Sequence, residues 1–580
     1  LAARHGDREG RVEDHQVTST GKTQNREAAA APPEHEAGAG RWARSPDARL
    51  MLILFAVAVL LYVPAIWWGV PDANGPARVR TWNSDELGPL GPIGEMYSVF
   101  VRRGPPFNPQ YPLFHYLVQA LVVGPYWALL WLTGGLREPA ATYPFGLSDP
   151  REALVVSTIL ARAVSIVMGA GVVAIAYRTG TILRDRATGI AAAILVLFIY
   201  PIVYYARTSN VDVPALFWTA LGLALFARYL RSGLTARRVA VLGAVSALAV
   251  ATKDASYAPL ALAAALLLVR EWRARPDAAG ARRTLAFGGI GLASLLAVYL
   301  PASGMIFHFG RYLRHIRFIT EGSPQRRGSL YYFSTPASID GYLSLLGKTA
   351  MHLVESLGAP VTALAVAGLA LAAFRARGFL LFALPALGVL AVVLPVRFVL
   401  LRFTMPTAYI LAFFAAYAAV EGARAAAPRV RAIARIAFAA VCAWSFLRAA
   451  DLTGQMLFDT RYQTEAWLAE RLDPGEAVGY IGAATALPRL PADNPTVPVF
   501  GPDRTDLTPR FVVVPLLTYR NRDILPAAAA RTPPAIAIAG GLPGYEPVRR
   551  FEPRTLFRTR PIASLNPLVV VFERRAGGSS

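Results

Sequence analysis

Cysteine is nearly absent: Cys442 is the one example in 580 residues. It lies inside an apolar run, which excludes an internal disulfide and leaves no thiol cluster to hold a metal. Charge is scarce too. Asp, Glu, Lys and Arg make up 17% of the chain and hydrophobic residues 54%, whereas a soluble domain carries about 25% charged residues. Acids are the scarcer sign, 37 against 59 Lys plus Arg, which gives a formal net charge of +22. No glycine-rich loop of the phosphate-cradling kind opens a helix, so no nucleotide site is indicated. His308 and His315 are not at metal-ligand spacing.

What the chain has instead is long apolar runs, and a mean hydropathy of +0.40. A bilayer span needs about 20 mostly apolar residues. Such runs cover 50–70, 153–177, 188–205, 213–230, 239–252, 256–269, 285–303, 346–373, 379–395, 404–421 and 433–450. They predict a polytopic α-helical membrane protein of about eleven spans. The basic residues cluster in short links at 178–186, 228–238, 270–283, 374–378 and 422–435. That is the pattern of cytoplasmic loops, not of a nucleic-acid surface, so no nucleic-acid partner is expected. Arg41, Arg44 and Arg49 place the N-terminus inside. Parity then requires that Tyr111–Gly135 does not cross. Pro109, Pro112 and Pro125, with His115 and Gln119, fit a juxtamembrane or re-entrant helix on the outer face. The segments 71–152 and 304–345 become outer loops.

Residues 1–48 are polar and aperiodic, as in a disordered cytoplasmic tail. They lack the basic-then-apolar pattern of a cleaved signal. Residues 451–580 form a second unit, expected to be a small extracytoplasmic α/β domain. A helix is predicted over Thr460–Arg471, capped by Asp459 or Thr460. Strands are predicted at Ala477–Ile481, Phe511–Pro515, Ala535–Ala539 and Leu568–Phe572.

Several polar residues fall at the outer ends of spans. Asp85 and Glu86 follow the first span; they read either as a solvated turn or as a general base for an incoming hydroxyl or amine. Asp212 precedes Pro214 at a span start, as a helix cap or as a second acid that binds acceptor or a cation. Arg162 sits inside a span, where an ionisable group is expensive. With Arg207, Lys253, Arg397 and Arg402 it suggests a cationic pocket for a phosphate. In 304–343, Arg311, Arg314 or His315 and Phe318 share a helical face, with Arg326 and Arg327 beyond. This reads as an interfacial helix gripping headgroups, or as a roof over a lipid phosphate. His352 reads as a structural histidine.

The order of these features resembles a known superfamily. The acidic pair is followed by Pro109-Gln-Tyr-Pro-Leu-Phe-His-Tyr-Leu117, then Ala161-Arg-Ala-Val-Ser165 with Gly169 and Tyr177-Arg178. Next come Pro201, Tyr204-Tyr-Ala-Arg207 with Asp212, Ala251-Thr-Lys253 and Arg402-Phe-Thr-Met-Pro406. Over about residues 50–420 the pattern is similar to the GT-C membrane glycosyltransferases, in particular the protein O-mannosyltransferase and aminoarabinose transferase group. The tail, with Asp459-Thr-Arg-Tyr462 and Trp467, resembles tails of bacterial relatives.

The resemblance implies a GT-C-like module that transfers a sugar from a polyprenyl-phosphate carrier to an extracytoplasmic protein, lipid or glycan, with inversion. It implies Asp85 as the base, with Glu86 beside it, Arg162 on the donor phosphate, and Asp212 as the second acid. His115 would face the acceptor entrance, where the family's His-Pro-Pro-Leu-Tyr-Tyr is altered to Gln110-Tyr-Pro-Leu-Phe-His-Tyr116. The lipid-linked sugar supplies the activated group, and no metal ligand set is implied. A divalent cation shared by Asp85 and Asp212 is left open. The rival reading is a transporter or flippase, which calls for paired repeats with helices broken at the midplane.

Overall fold

The computed structural model describes residues 45–83, 85–101, 110–321, 334–499, 508–517, 532–557, 562 and 564–575. The chain forms two compact units, Leu1–Arg49 and Leu50–Ser580. In the first, the Ser45 hydroxyl accepts from the Ala48 amide at 3.2 Å as the helix α1 (Pro46–Tyr62) begins. The rest of the expected tail, 1–44, lies outside the described residues, as do Pro109, Arg326 and Arg327.

The apolar runs become helices because they are rich in Ala and Leu and open on side chains that satisfy free amides. Asp149, Asp185, Thr235, Asp277 and Ser338 each accept from a first-turn amide of the helix they precede. After α1 come α2 (Gly91–Met96), α3 (Phe114–Leu132), α4 (Pro150–Leu183), α5 (Arg186–Leu197) and α6 (Tyr200–Tyr205). Then follow α7 (Asp212–Ser232), α8 (Ala236–Thr252), α9 (Tyr257–Ala274), α10 (Ala278–Ala302) and α11 (Phe309–Glu321). The membrane module closes with α12 (Ile339–Leu357), α13 (Ala359–Arg375), α14 (Arg377–Val396), α15 (Met405–Ala423) and α16 (Pro428–Leu457).

Among the described residues, seven helices are long and apolar enough to cross a bilayer, and α12 with α13 pass that test together but are bent by 108°. The expected count of about eleven is not reproduced: the helices over 50–70 and 239–252 have 17 residues each, the run 256–269 is not among the seven, and two further runs are broken. The run 346–373 breaks at Gly358, whose φ is 87° and where an added Cβ would lie 2.1 Å from the Trp444 ring; only glycine satisfies both demands. The run 188–205 breaks before Pro201, which has no N–H to donate to the Leu197 carbonyl. That carbonyl accepts instead from the Tyr62 hydroxyl, at 3.0 Å. Helix α3, expected to lie at the interface, is one continuous helix of spanning length.

Burial sorts the helices into centre and periphery. In α4, α7 and the Leu401–Ala423 segment, 67–72% of the most apolar window is buried, against 6% in α10 and α16. The last two lie at the periphery, with α10 packed along α8, where the Ser294 hydroxyl donates to the Ala240 carbonyl at 2.7 Å. Helix α11 is amphipathic as expected, with Phe309 and Leu313 exposed. Two of its basic residues point into the protein, while Arg314 and Arg317 are exposed. Arg311 is fully buried against Glu95 at 2.7 Å, and His315 Nε2 lies 3.2 Å from Asp254. These contacts tie α11 to α2 and to the turn after α8.

The C-terminal part opens with α17 (Thr460–Ala469), capped by Asp459. Its sheet has strands β1 (Val478–Tyr480), β2 (Thr496–Pro498), β3 (Phe511–Leu516), β4 (Tyr545–Phe551) and β5 (Leu568–Arg574), in the order β2-β1-β3-β5-β4. β1 is parallel to β2 and β3, and β5 is antiparallel to β3 and β4. Alternate residues face opposite layers. Phe511, Val513, Val569 and Val571 pack with Leu468 of α17, while Val512, Val514, Val570 and Phe572 pack with Ala537 of α18 (Pro533–Gly540). Residues 535–539, expected as a strand, are therefore helical; Pro533 and Pro534 in the first turn suit a helix start. The boundary expected at 451 falls inside α16, which continues to Leu457.

Candidate active site

The loop after α1, the start of α7, the end of α8 and the turn before α15 converge. Each contributes one charged side chain. Asp85 lies in the loop, Asp212 is the first residue of α7, Lys253 caps the end of α8, and Arg402 sits in the 3-10 turn Leu401–Thr404. Arg402 Nη1 is bonded to Asp85 Oδ2, and Lys253 Nζ to Asp212 Oδ1. Arg402 Nε also lies 3.9 Å from Asp212 Oδ2, and both of these buried atoms lack a hydrogen bond among the described residues. The result is an alternating chain of two acids and two bases. Asp85 is its accessible end, with a side chain 40% exposed, against 2% for Asp212.

Backbone and neighbouring amides fix the two acids. Asn210 Oδ1 accepts from the Asp212 amide at 2.6 Å, and Asn210 Nδ2 donates to the Asp85 carbonyl at 3.3 Å. The Asp85 amide donates to Asn83 Oδ1 at 3.1 Å. Lys253 lies 5.4 Å from the Phe403 ring centroid, and burial pulls its ammonium below its usual value against the opposing pull of Asp212.

Asp212, Lys253 and Arg402 open onto a small cleft. Its other walls are mainly apolar and come from α7, α9, α14 and the start of α15, with Leu216, Pro259, Val389 and Met405 among them. A charged head above an apolar trough is the shape that an amphiphile with an anionic head would fill.

The remaining predicted residues lie elsewhere. Glu86 does not join the cleft. Its carboxylate, 1% exposed, takes Arg162 Nη2 at 2.7 Å and Nε at 3.3 Å, and accepts from Ser209 Oγ at 2.8 Å. Arg162 spends its other donors on the carbonyls of Ile66 and Trp68, at 2.6 and 2.7 Å. With its side chain fully buried and four of its five N–H groups given to protein acceptors, Arg162 is not among the residues that line the cleft. Arg207 is likewise buried and donates to the carbonyls of Leu61 and Tyr62, at 2.7 and 3.2 Å. Backbone carbonyls thus accept from both arginines, from Arg162 inside α4 and from Arg207 in the link after α6. His115 is 1% exposed, with neither ring nitrogen hydrogen-bonded among the described residues, and it is not among the cleft's lining residues. Asn83, Ser209 and Asn210 were not singled out from sequence; the Asn-x-Asp spacing at 210–212, typical of a side chain that binds the amide two residues on, was the available signal.

Asp212 lines the cleft and Asp85 joins it through Arg402, so the two carboxylates are interleaved with two cations, and among the described residues no group of three His, Cys, Asp or Glu is placed to hold a metal ion. This donor set does not fit a bridging divalent cation.

Residues 115–306 match the family model described as dolichyl-phosphate-mannose-protein mannosyltransferase. The matched segment, about a third of the chain, is similar to that mannosyltransferase family. The matched segment contains Asp212 and Lys253, while Asp85 and Arg402 lie outside it on either side. No curated protein sequence matches the chain. Among solved structures the chain is similar to ArnT from Cupriavidus metallidurans bound to undecaprenyl phosphate, with TM-score 0.47 and 14% identity over 91% of this chain and 98% of that one. It is also similar to the Archaeoglobus fulgidus oligosaccharyltransferase, with TM-score 0.45 and 14% identity over 78% of this chain and 62% of that one.

Proposed function

We propose that the GT-C module transfers a sugar from a polyprenyl-phosphate donor to an extracytoplasmic acceptor, with inversion. The observation that carries this reading is the cleft: two cations at its head and apolar walls along its length. An anionic phosphate pairs with Arg402 and Lys253 while the prenyl chain lies in the trough. The acceptor hydroxyl or amine attacks the anomeric carbon from the face opposite the phosphate. The new bond forms as the carbon–oxygen bond to phosphate breaks. Asp85 takes the acceptor's proton, and the growing charge on the departing phosphate is held by the two cations.

In the resting protein Arg402 is already paired with Asp85. Donor phosphate competes for that guanidinium, so its arrival frees the carboxylate to act as base. The distribution of basic links supports a cytoplasmic N-terminus and an extracytoplasmic C-terminal domain.

The test is transfer from a panel of radiolabelled polyprenyl-phosphate sugars and nucleotide sugars to membrane acceptors. The reading expects label to move from one or more of the lipid-linked donors and to appear in the opposite anomeric configuration. Transfer from nucleotide sugars alone contradicts it.

A further inference from the structure

The C-terminal domain reaches back to the base loop through a buried chain of contacts. Asp459 and Arg461, both fully buried, form a two-point ion pair at 2.7–2.8 Å. The Trp68 indole N–H donates to Asp459 Oδ2 at 3.0 Å. The Trp68 carbonyl accepts from Arg162, and Arg162 holds Glu86, the neighbour of Asp85. A second branch runs alongside. The Arg461 guanidinium lies 3.8 Å from the Trp82 ring centroid, and the Trp82 indole donates to the Leu487 carbonyl at 2.8 Å. Trp82 is followed by Asn83, which accepts the Asp85 amide. Trp68 and Trp82 flank the base loop in sequence and touch edge to face, with centroids 6.1 Å apart. Both are gripped by the same Asp459–Arg461 pair.

From this geometry we infer that the Asp459–Arg461 pair, with Trp68, is a positioning unit for Asp85. It rests on Asp85 being the base, as proposed above. The C-terminal domain thereby holds the loop at the height that the acceptor's proton requires. The donor's cations belong to other elements, α8 and the turn before α15, so the unit acts on the base and not on donor affinity. A displacement on the order of 1 Å costs about 100-fold in rate, so partial loosening has a large reach.

The experiment uses the full chain in phospholipid nanodiscs. Trp68→Phe removes the indole N–H but keeps the ring and the carbonyl that serves Arg162. Arg162→Lys keeps a cation at Glu86 but loses the Nη1 that serves both carbonyls. Active sites are counted by undecaprenyl phosphate binding stoichiometry. Each single variant is expected to lower kcat about tenfold, with the undecaprenyl phosphate Kd within about twofold, and the double variant to fall about tenfold rather than about 100-fold, because both cut the same chain. Additive losses, an unchanged kcat in Trp68→Phe, or Kd weakening in step with kcat overturns the inference. Arg461→Lys, which keeps a cation on Trp82, is expected to retain more activity than Arg461→Ala; equal loss in the two counts against it. Asp85→Asn run alongside separates the two readings. If it stays active the base assignment falls, and if it is inactive while the cycle is additive only the positioning role falls.

Discussion

Replacing Asp85 by Asn is expected to tighten the binding of undecaprenyl phosphate while it removes catalysis. Arg402 meets the phosphate only by giving up Asp85, and the bound phosphate then faces a freed carboxylate of like charge. The amide removes both penalties. Two unit charges about 4 Å apart interact by about 4 kcal/mol at an effective dielectric of about 20, and exposed pairs by about 1 kcal/mol or less. The Arg402–Asp85 pair lies between these limits, since Arg402 is 11% exposed and Asp85 40%. A gain of about 1.4–2.7 kcal/mol follows, or about 10- to 100-fold in Kd. The assay is equilibrium binding of undecaprenyl phosphate to the variant and the parent in matched nanodiscs. Equal affinities refute the competition. Weaker binding by the variant refutes it more strongly, because Asp85 would then help to hold the phosphate, as through a shared divalent cation.

Other outcomes follow from the same geometry. Arg402→Ala is expected to raise the donor KM at least tenfold, whereas Arg162→Ala should lower the yield of folded protein, since an unpaired buried Glu86 costs about 3–5 kcal/mol; donor kinetics and detergent-stable yield separate the two. Chelation with EDTA should leave transfer unchanged, and a loss restored by one metal ion would show a cation site. Burial pushes the Glu465 carboxyl up to about 7, where its Oε1 accepts from the Arg489 amide at 2.7 Å beside Asp72 and Arg78. The folded state therefore keeps a proton there that the unfolded chain has lost, so stability from this group is present below about pH 4.5 and lost as pH rises to about 7. Glu465→Gln keeps an acceptor for Arg489 and should raise the Tm at pH 8 but not at pH 4; equal shifts at both would contradict the assignment.

The charged cluster was readable in part because span ends are where polar groups are affordable. Asp85, Asp212, Lys253 and Arg402 stood at such ends, and they are the four that meet. Arg162 and Arg207 were grouped with these cations from sequence, and the structure sets both apart from them, on backbone carbonyls. An arginine inside a span is costly unless satisfied, and the sequence does not say whether a ligand or a backbone carbonyl satisfies it. The breaks at Gly358 and before Pro201 were hidden because hydropathy averages over residues and is blind to a single φ. The helix at 533–540 was mistaken for a strand because a five-residue apolar run has no period of its own. The coupling of Trp68 to Asp459 joins residues 391 positions apart, and no local pattern announces it.

The central claim is tested most directly by single-turnover transfer from pre-bound polyprenyl-phosphate sugar in Asp85→Asn and parent protein. The account predicts that the variant holds its donor and transfers at least about 1000-fold more slowly. Transfer within about tenfold of the parent, with donor bound, would contradict it.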